Sequence, residues 1–389
     1  MSIISKSFAI VFILGSIGLV RSFALPHRQP FPFEVKSQGK TEWELLPSFK
    51  LDVICFLNTL TGDPFYMDYY KDEYAKFEPG LTPRVRTALS DLKRKIKDDG
   101  GGIISATLAI NFSATDDQTL DDMLRSVKDS KAMQDKLRLT PYYSDDSWKL
   151  YESVRPDLME IFLHLKKAKF KEYWNANILP KVNKRINEIE AELARYDIVS
   201  EVEGHLGFSL SSNRITVYVL YYTQPHGIKV TGMKFLTDQK WPIKIVARNA
   251  AHEMMHPPFV DLKHDGELSD AINSLKQDDF IMDKVANHDK SFGYNSFEGM
   301  IEEDIVQAIE QLINEKFKIE IEARDRWKES DNGIHVFAVA LYSLMKEEKF
   351  PKDHETFRGF LLRMITTGRL SAGRIKPLYD AFYLTAAND

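Results

Sequence analysis

His252-Glu253-Met254-Met255-His256 sets two imidazoles and a carboxylate at a spacing that suits metal chemistry. On a helix, residues four apart lie nearly one above the other, about 6 Å apart along the axis, so both rings can reach one ion. The glutamate beside the first histidine then comes within reach of a water held by that ion. Pro242 is well placed to open such a helix, and Ile243, Ile245, Val246, Ala250, Met254 and Met255 fall on one apolar arc. His252 and His256 lie on the other side of that arc, which predicts that they face solvent or a cleft rather than core. Pro257 and Pro258 follow at once, and proline lacks the backbone donor and crowds the preceding turn. The helix is therefore expected to end at or just after His256.

A third ligand has to come from elsewhere in the chain. Cys55 is the only cysteine, in the apolar run Leu51–Leu57, so thiolate sites and intrachain disulfides are excluded and His, Asp or Glu must hold any metal. Taking 297–318 as a helix, Met300, Ile301, Ile305, Ala308, Ile309, Leu312 and Ile313 define its core arc. Glu303 lies opposite that arc and Glu302 nearer its flank, which favours Glu303 over Glu302 and Glu298. Glu298 or Asp304 is a candidate to orient a ligand histidine. His288, Tyr294, Tyr222 and His335 are candidate donors to a developing oxyanion, and His264 is a weaker candidate for metal binding. There is no Gly-x-Ser-x-Gly motif and no glycine-rich phosphate loop.

The elements that must position these residues read as an α+β, mostly helical fold. A helix is expected from Trp43 through Ile54, another over 65–77, and a third from Pro83 to Lys97 before the break Asp98-Asp99-Gly100-Gly101-Gly102. Trp148 to Tyr196 reads as helical, interrupted at Pro156 and Pro180. Ile215, Val217, Val219 and Tyr221 alternate with Thr216, Tyr218, Leu220 and Tyr222, the pattern of a strand. Ile228, Val230 and Gly232 follow a turn signal at Pro225-His226-Gly227 and are expected to form its antiparallel hairpin partner. The division expected is a helical N-terminal region over 25–200 and an α+β unit with a small antiparallel sheet over 201–389.

The flanks and composition bound the setting. Phe8 to Val20 is uncharged, with Lys6 before it, Arg21 after it and Ser22-Phe23-Ala24 as a cleavage signal. Thirteen residues are too few to cross a bilayer, so residues 1–24 read as a signal peptide. This predicts a secreted or periplasmic protein with no stable membrane anchor after cleavage. The 389 residues are 43% hydrophobic and 28% charged, with net charge −5, which fits a globular protein and argues against nucleic acid as a partner.

The arrangement of strand, HExxH helix and later glutamate-bearing helix resembles the zincin metallopeptidases. Phe259 and Leu262 stand where the metzincin pattern carries Gly and His, leaving the gluzincin type. Glu303-Asp304-Ile305-Val306-Gln307-Ala308-Ile309 also resembles the second motif of a family of uncharacterised secreted bacterial HExxH proteins. The resemblance covers residues 200–320. It implies Zn2+ on His252, His256 and Glu303, with Glu253 as general base in the hydrolysis of a peptide or protein substrate. Ile228 to Gly232 is then a candidate edge for an extended peptide. A catalytically silent binding protein on the same scaffold is the alternative.

Overall fold

The computed structural model describes residues 40–262, 265–289, 292, 294–319, 322–352 and 355–385. The signal expected at residues 1–24 and the candidate His264 lie outside the described residues. The fold is α+β and mostly helical, with one small four-stranded sheet. Among the described residues, no helix is long and apolar enough to cross a membrane.

The strands are β1 (Glu42–Leu46), β2 (Arg214–Leu220), β3 (Ile228–Val230) and β4 (Lys234–Asp238), in the order β1-β2-β4-β3. The sheet is mixed, not antiparallel as expected. β1 runs parallel to β2 with Trp43 beside Ile215, β2 parallel to β4 with Val217 beside Phe235, and only β3 is antiparallel to β4. Ile228–Val230 therefore pairs with the later strand Lys234–Asp238, not with β2. A positive φ of 75° at Gly232, which glycine adopts without steric cost, turns the chain between β3 and β4.

The helix expected from Trp43 is β1 followed by a helix over Phe49–Leu60. Pro47 disfavours helical angles at Leu46, and extended Ser48 caps the new helix by accepting from Leu51 N. That helix is buried on every side, so it lies at the centre of the core. Asn58 and Ser105 tie it to the helix Ile104–Ser113, through Asn58 Nδ2 to Ser105 Oγ at 2.8 Å and Ser105 N to Asn58 Oδ1 at 3.1 Å. β1, which precedes the division drawn near residue 200, pairs with β2, which follows it. One continuous hydrophobic core includes residues from both regions.

Two helices carry the site. The first, Ile243–Leu262, contains the HExxH motif. It does not end at His256 but continues helically through Pro257 and Pro258. Proline's fixed φ is compatible with a helix, so the cost is the loss of the donors that would serve the carbonyls of Glu253 and Met254. The second, Phe297–Lys316, starts at Ser296, whose side chain accepts from Gly299 N, and packs against the first. It also packs against the helix Val336–Glu348. It is buried on nearly all faces, so its central polar residues, from Glu302 to Asn314, have little solvent to turn to.

Candidate metal centre

His252, His256 and Glu303 converge. Their ligand atoms lie within 4.8 Å of one another. The two Nε2 atoms are 3.1 Å apart, Glu303 Oε1 is 3.6 Å from His252 Nε2, and Glu303 Oε2 is 3.8 Å from His256 Nε2. Contrary to the helical arc, the histidines do not face solvent: His252 is 0% exposed, His256 2%, Glu253 0% and Glu303 1%. The second helix covers the side of the motif helix that the sequence pattern left open.

Each imidazole is turned by a carboxylate at its far nitrogen. Glu310 Oε2 lies 2.9 Å from His252 Nδ1, and Glu302 Oε1 lies 3.3 Å from His256 Nδ1. A carboxylate only accepts, so both Nδ1 atoms carry a proton, and each ring in its neutral form presents its Nε2 lone pair to the other. At 3.1 Å two bare lone pairs would repel, so this approach calls for a proton shared from one ring or a cation between them. Four tetrahedral ligands about 2.0–2.1 Å from zinc are about 3.3 Å apart, close to the separation of the two Nε2 atoms. Glu303 Oε2 is buried without a hydrogen-bond partner among the described residues, which leaves it open to serve as the third donor. Two imidazoles and a carboxylate are a donor set that zinc takes readily. The residues present therefore fit the metal.

Glu310 is itself anchored. Arg326 Nη2 donates to its Oε2 at 2.7 Å and Asn314 Nδ2 to its Oε1 at 3.0 Å. Burial alone would push its carboxyl up, but Arg326, His252 and Arg248 outweigh that and hold it well below the usual range. The orienting carboxylates are thus Glu302 and Glu310. Glu298, expected in that role, pairs instead with Lys276 Nζ at 2.7 Å. Asp304 takes His335 Nδ1 at 2.6 Å and caps the helix Val336–Glu348 through Phe337 N and Ala338 N.

Glu253 is the group with the least support. Neither of its oxygens has a hydrogen-bond partner among the described residues. Burial raises its carboxyl, while His252 and Lys229 pull it down. Lys229 is a buried ammonium on β3 that donates to the carbonyls of Val230, Gly232 and Lys234. Tyr142 was not anticipated. Its ring lies 5.7 Å from Lys229 Nζ, its hydroxyl is buried without a hydrogen bond among the described residues, and burial aided by Glu253 and Glu302 pushes its phenol up.

The expected oxyanion donors are otherwise engaged or packed. His335 is paired with Asp304 and Asp331, and His288 Nδ1 donates to Lys284 O at 2.9 Å. The Tyr222 ring packs against Phe56 at 4.6 Å, and Tyr294 stands edge-on to His335 at 5.4 Å. β3 is an edge strand, yet all three of its residues are buried. Helix Ile104–Ser113 covers it, with Thr231 N donating to Ser113 Oγ at 3.3 Å.

Compared with models of protein families, with curated proteins and with solved structures, the chain matches none. The likeness to zincins therefore rests on the motif, its spacing and the donor geometry.

Proposed function

We propose that the chain is a zinc-dependent metallopeptidase of gluzincin type, acting on peptide or protein substrates outside the cytoplasm, secreted or periplasmic. The observation that carries this reading is Glu253, a fully buried carboxylate beside His252 with no hydrogen bond to either oxygen among the described residues. A buried charge left unsatisfied costs several kcal/mol, and such groups concentrate where chemistry uses them. His252, His256 and Glu303 hold the metal, while Glu310 and Glu302 fix the two rings. Bound zinc supplies a Lewis acid for the scissile carbonyl and lowers the pKa of water. Glu253 takes the proton of the attacking water and delivers it to the leaving amine. The signal-like pattern of residues 1–24, with its uncharged run Phe8 to Val20, supports export.

A second reading, a catalytically silent zinc-binding protein on the same scaffold, is favoured by one observation. The ligands and Glu253 are at most 2% exposed, and β3, the strand an extended peptide would join, is covered. Glu253→Gln separates the two. The variant is expected to keep its zinc and lose peptide hydrolysis by about 10²–10⁴-fold, the usual contribution of a general base. A zinc-loaded wild type that cleaves nothing in a diverse peptide library moves the assignment to the second reading. Equal cleavage by wild type and variant removes Glu253 from the mechanism.

A further inference from the structure

The third ligand has a neighbour that the hydrolytic scheme does not use. Gln307 stands one turn beyond Glu303 on the same helix, and its amide Nε2 donates to Glu303 Oε1 at 2.9 Å. The orientation of that amide is not free. Trp327 Nε1 lies 2.9 Å from Gln307 Oε1, and an indole N–H can only donate, so the amide oxygen must face the tryptophan.

The other side of the amide is closed as well. Gln307 Nε2 lies 3.1 Å from His335 Nε2. His335 sits between Asp304 Oδ1 at 2.6 Å on Nδ1 and Asp331 Oδ2 at 3.0 Å on Nε2. Two carboxylates only accept, so both ring nitrogens donate and neither offers Gln307 a lone pair. The amide N–H is left with Glu303 Oε1 as its acceptor. All of Glu303, Asp304, Gln307, Trp327, Asp331 and His335 are buried, so water does not compete.

We propose that Gln307 is a positioning residue that keeps Glu303 a one-oxygen ligand. Both oxygens lie near the imidazoles, Oε1 3.6 Å from His252 Nε2 and Oε2 3.8 Å from His256 Nε2; Gln307 occupies Oε1 and leaves Oε2, without a hydrogen bond among the described residues, as the oxygen for the metal. A carboxylate held this way leaves a coordination position for water or substrate, which a two-oxygen carboxylate would fill. The inference rests on the metal-site reading above.

Cobalt(II) in place of zinc in the full chain tests it, because four- and five-coordinate cobalt differ in visible absorption. Wild type is expected to show the intense bands of a four-coordinate ion. Gln307→Leu removes the amide, and its bands are expected to weaken toward the five-coordinate pattern. Its zinc affinity should fall about 10–100-fold, the usual effect of losing a partner to a ligand. Trp327→Phe frees the amide to rotate and should shift both readouts the same way by less; it carries the test if Gln307→Leu does not fold. Wild-type spectra and zinc affinity in both variants overturn the proposal while leaving the metal site intact. A wild type that binds neither metal overturns the metal-site reading, and this inference falls with it.

Discussion

The Nε2 atoms of His252 and His256 face each other at 3.1 Å, with Glu310 and Glu302 on the opposite side of each ring. The carboxylates hold a proton on each Nδ1, so the two Nε2 atoms can share one proton between them or bind one cation together. A metal bound there would stabilise the folded chain over the unfolded one. Full-length protein stripped by a chelator is expected to unfold at a lower temperature. Zinc at about one hundred times its dissociation constant restores about 3 kcal/mol. Calorimetry with and without stoichiometric zinc checks this. An unchanged midpoint would mean that the two rings are not a metal site.

Adjacent glutamates on one helix have different tasks. Glu303 faces both Nε2 atoms, whereas Glu302 faces His256 Nδ1. Glu303→Gln replaces a charged donor by a neutral amide and is expected to abolish tight zinc binding. Glu302→Gln keeps an oxygen that can accept from Nδ1–H, so its zinc affinity should fall no more than about 10–100-fold. Competition with a chromogenic chelator reads both. The reverse order would make Glu302 the ligand.

Glu310 combines two demands. It orients His252 and is the counter-charge of Arg326, whose side chain is 8% exposed. Glu310→Gln leaves that guanidinium buried without its carboxylate, and breaking a buried pair costs about 3–5 kcal/mol. The expected result is a large drop in urea midpoint together with weakened zinc binding. A urea midpoint no lower than that of metal-stripped wild type would show that the pair adds nothing to the fold.

The motif and the glutamate helix were legible because their spacing follows from helix geometry. Glu303 was separable from Glu302 by phase alone. The burial of the site was not legible, because a single helix pattern shows one core face, and here a second helix covers the other. Glu310 had a readable signal. Glu303, Gln307, Glu310 and Asn314 lie four, three and four residues apart, a polar stripe along one face of the helix. β1 was misread because Trp43, Leu45 and Leu46 fit either period, while Pro47-Ser48 marked the true break. The β2 alternation was plain, but its partners depend on contacts far apart in sequence. β1 joins it from about 170 residues upstream, as Glu42 pairs with Arg214. The prolines after His256 were read by local rules that the surrounding fold overrides.

His335 makes stability fall at alkaline pH. Burial pulls its imidazolium down, but hydrogen bonds and charge from Asp304 and Asp331 outweigh this and raise it to about 10. The folded state therefore holds a proton that the unfolded chain loses near pH 6.5. This contribution is complete below pH 6.5 and is lost as pH rises toward 10, at about 1.4 kcal/mol per pH unit. Urea midpoints measured from pH 6.5 to 10 should decline, and His335→Gln should flatten the slope. A slope unchanged by that substitution would assign the decline to other groups.

Asp52 joins the central helix to the sheet. Its Oδ1 accepts from Tyr221 N at 2.8 Å and Tyr222 N at 3.1 Å, and its Oδ2 accepts from Trp174 Nε1 at 2.8 Å. All three partners are donors. In Asp52→Asn the amide nitrogen must face at least one of them, leaving a buried N–H unpaired at a cost of about 1–3 kcal/mol. The amide should turn its oxygen to the two backbone groups and its nitrogen to Trp174. Trp174→Phe in the Asn background should then cost less than it does in wild type. The penalty also depends on pH. Burial raises the Asp52 carboxyl to about 7, despite its three hydrogen bonds. In wild type the unfolded chain ionises from pH 3.8 upward while the folded state keeps its proton, so stability declines until pH 7. Asparagine does not titrate. The cost of Asp52→Asn is therefore expected to be greatest near pH 4 and to shrink by pH 8. Urea denaturation of wild type, both single variants and the double variant at these two pH values measures this. A penalty that grows with pH would show that the ionised carboxylate is the favoured form in the fold.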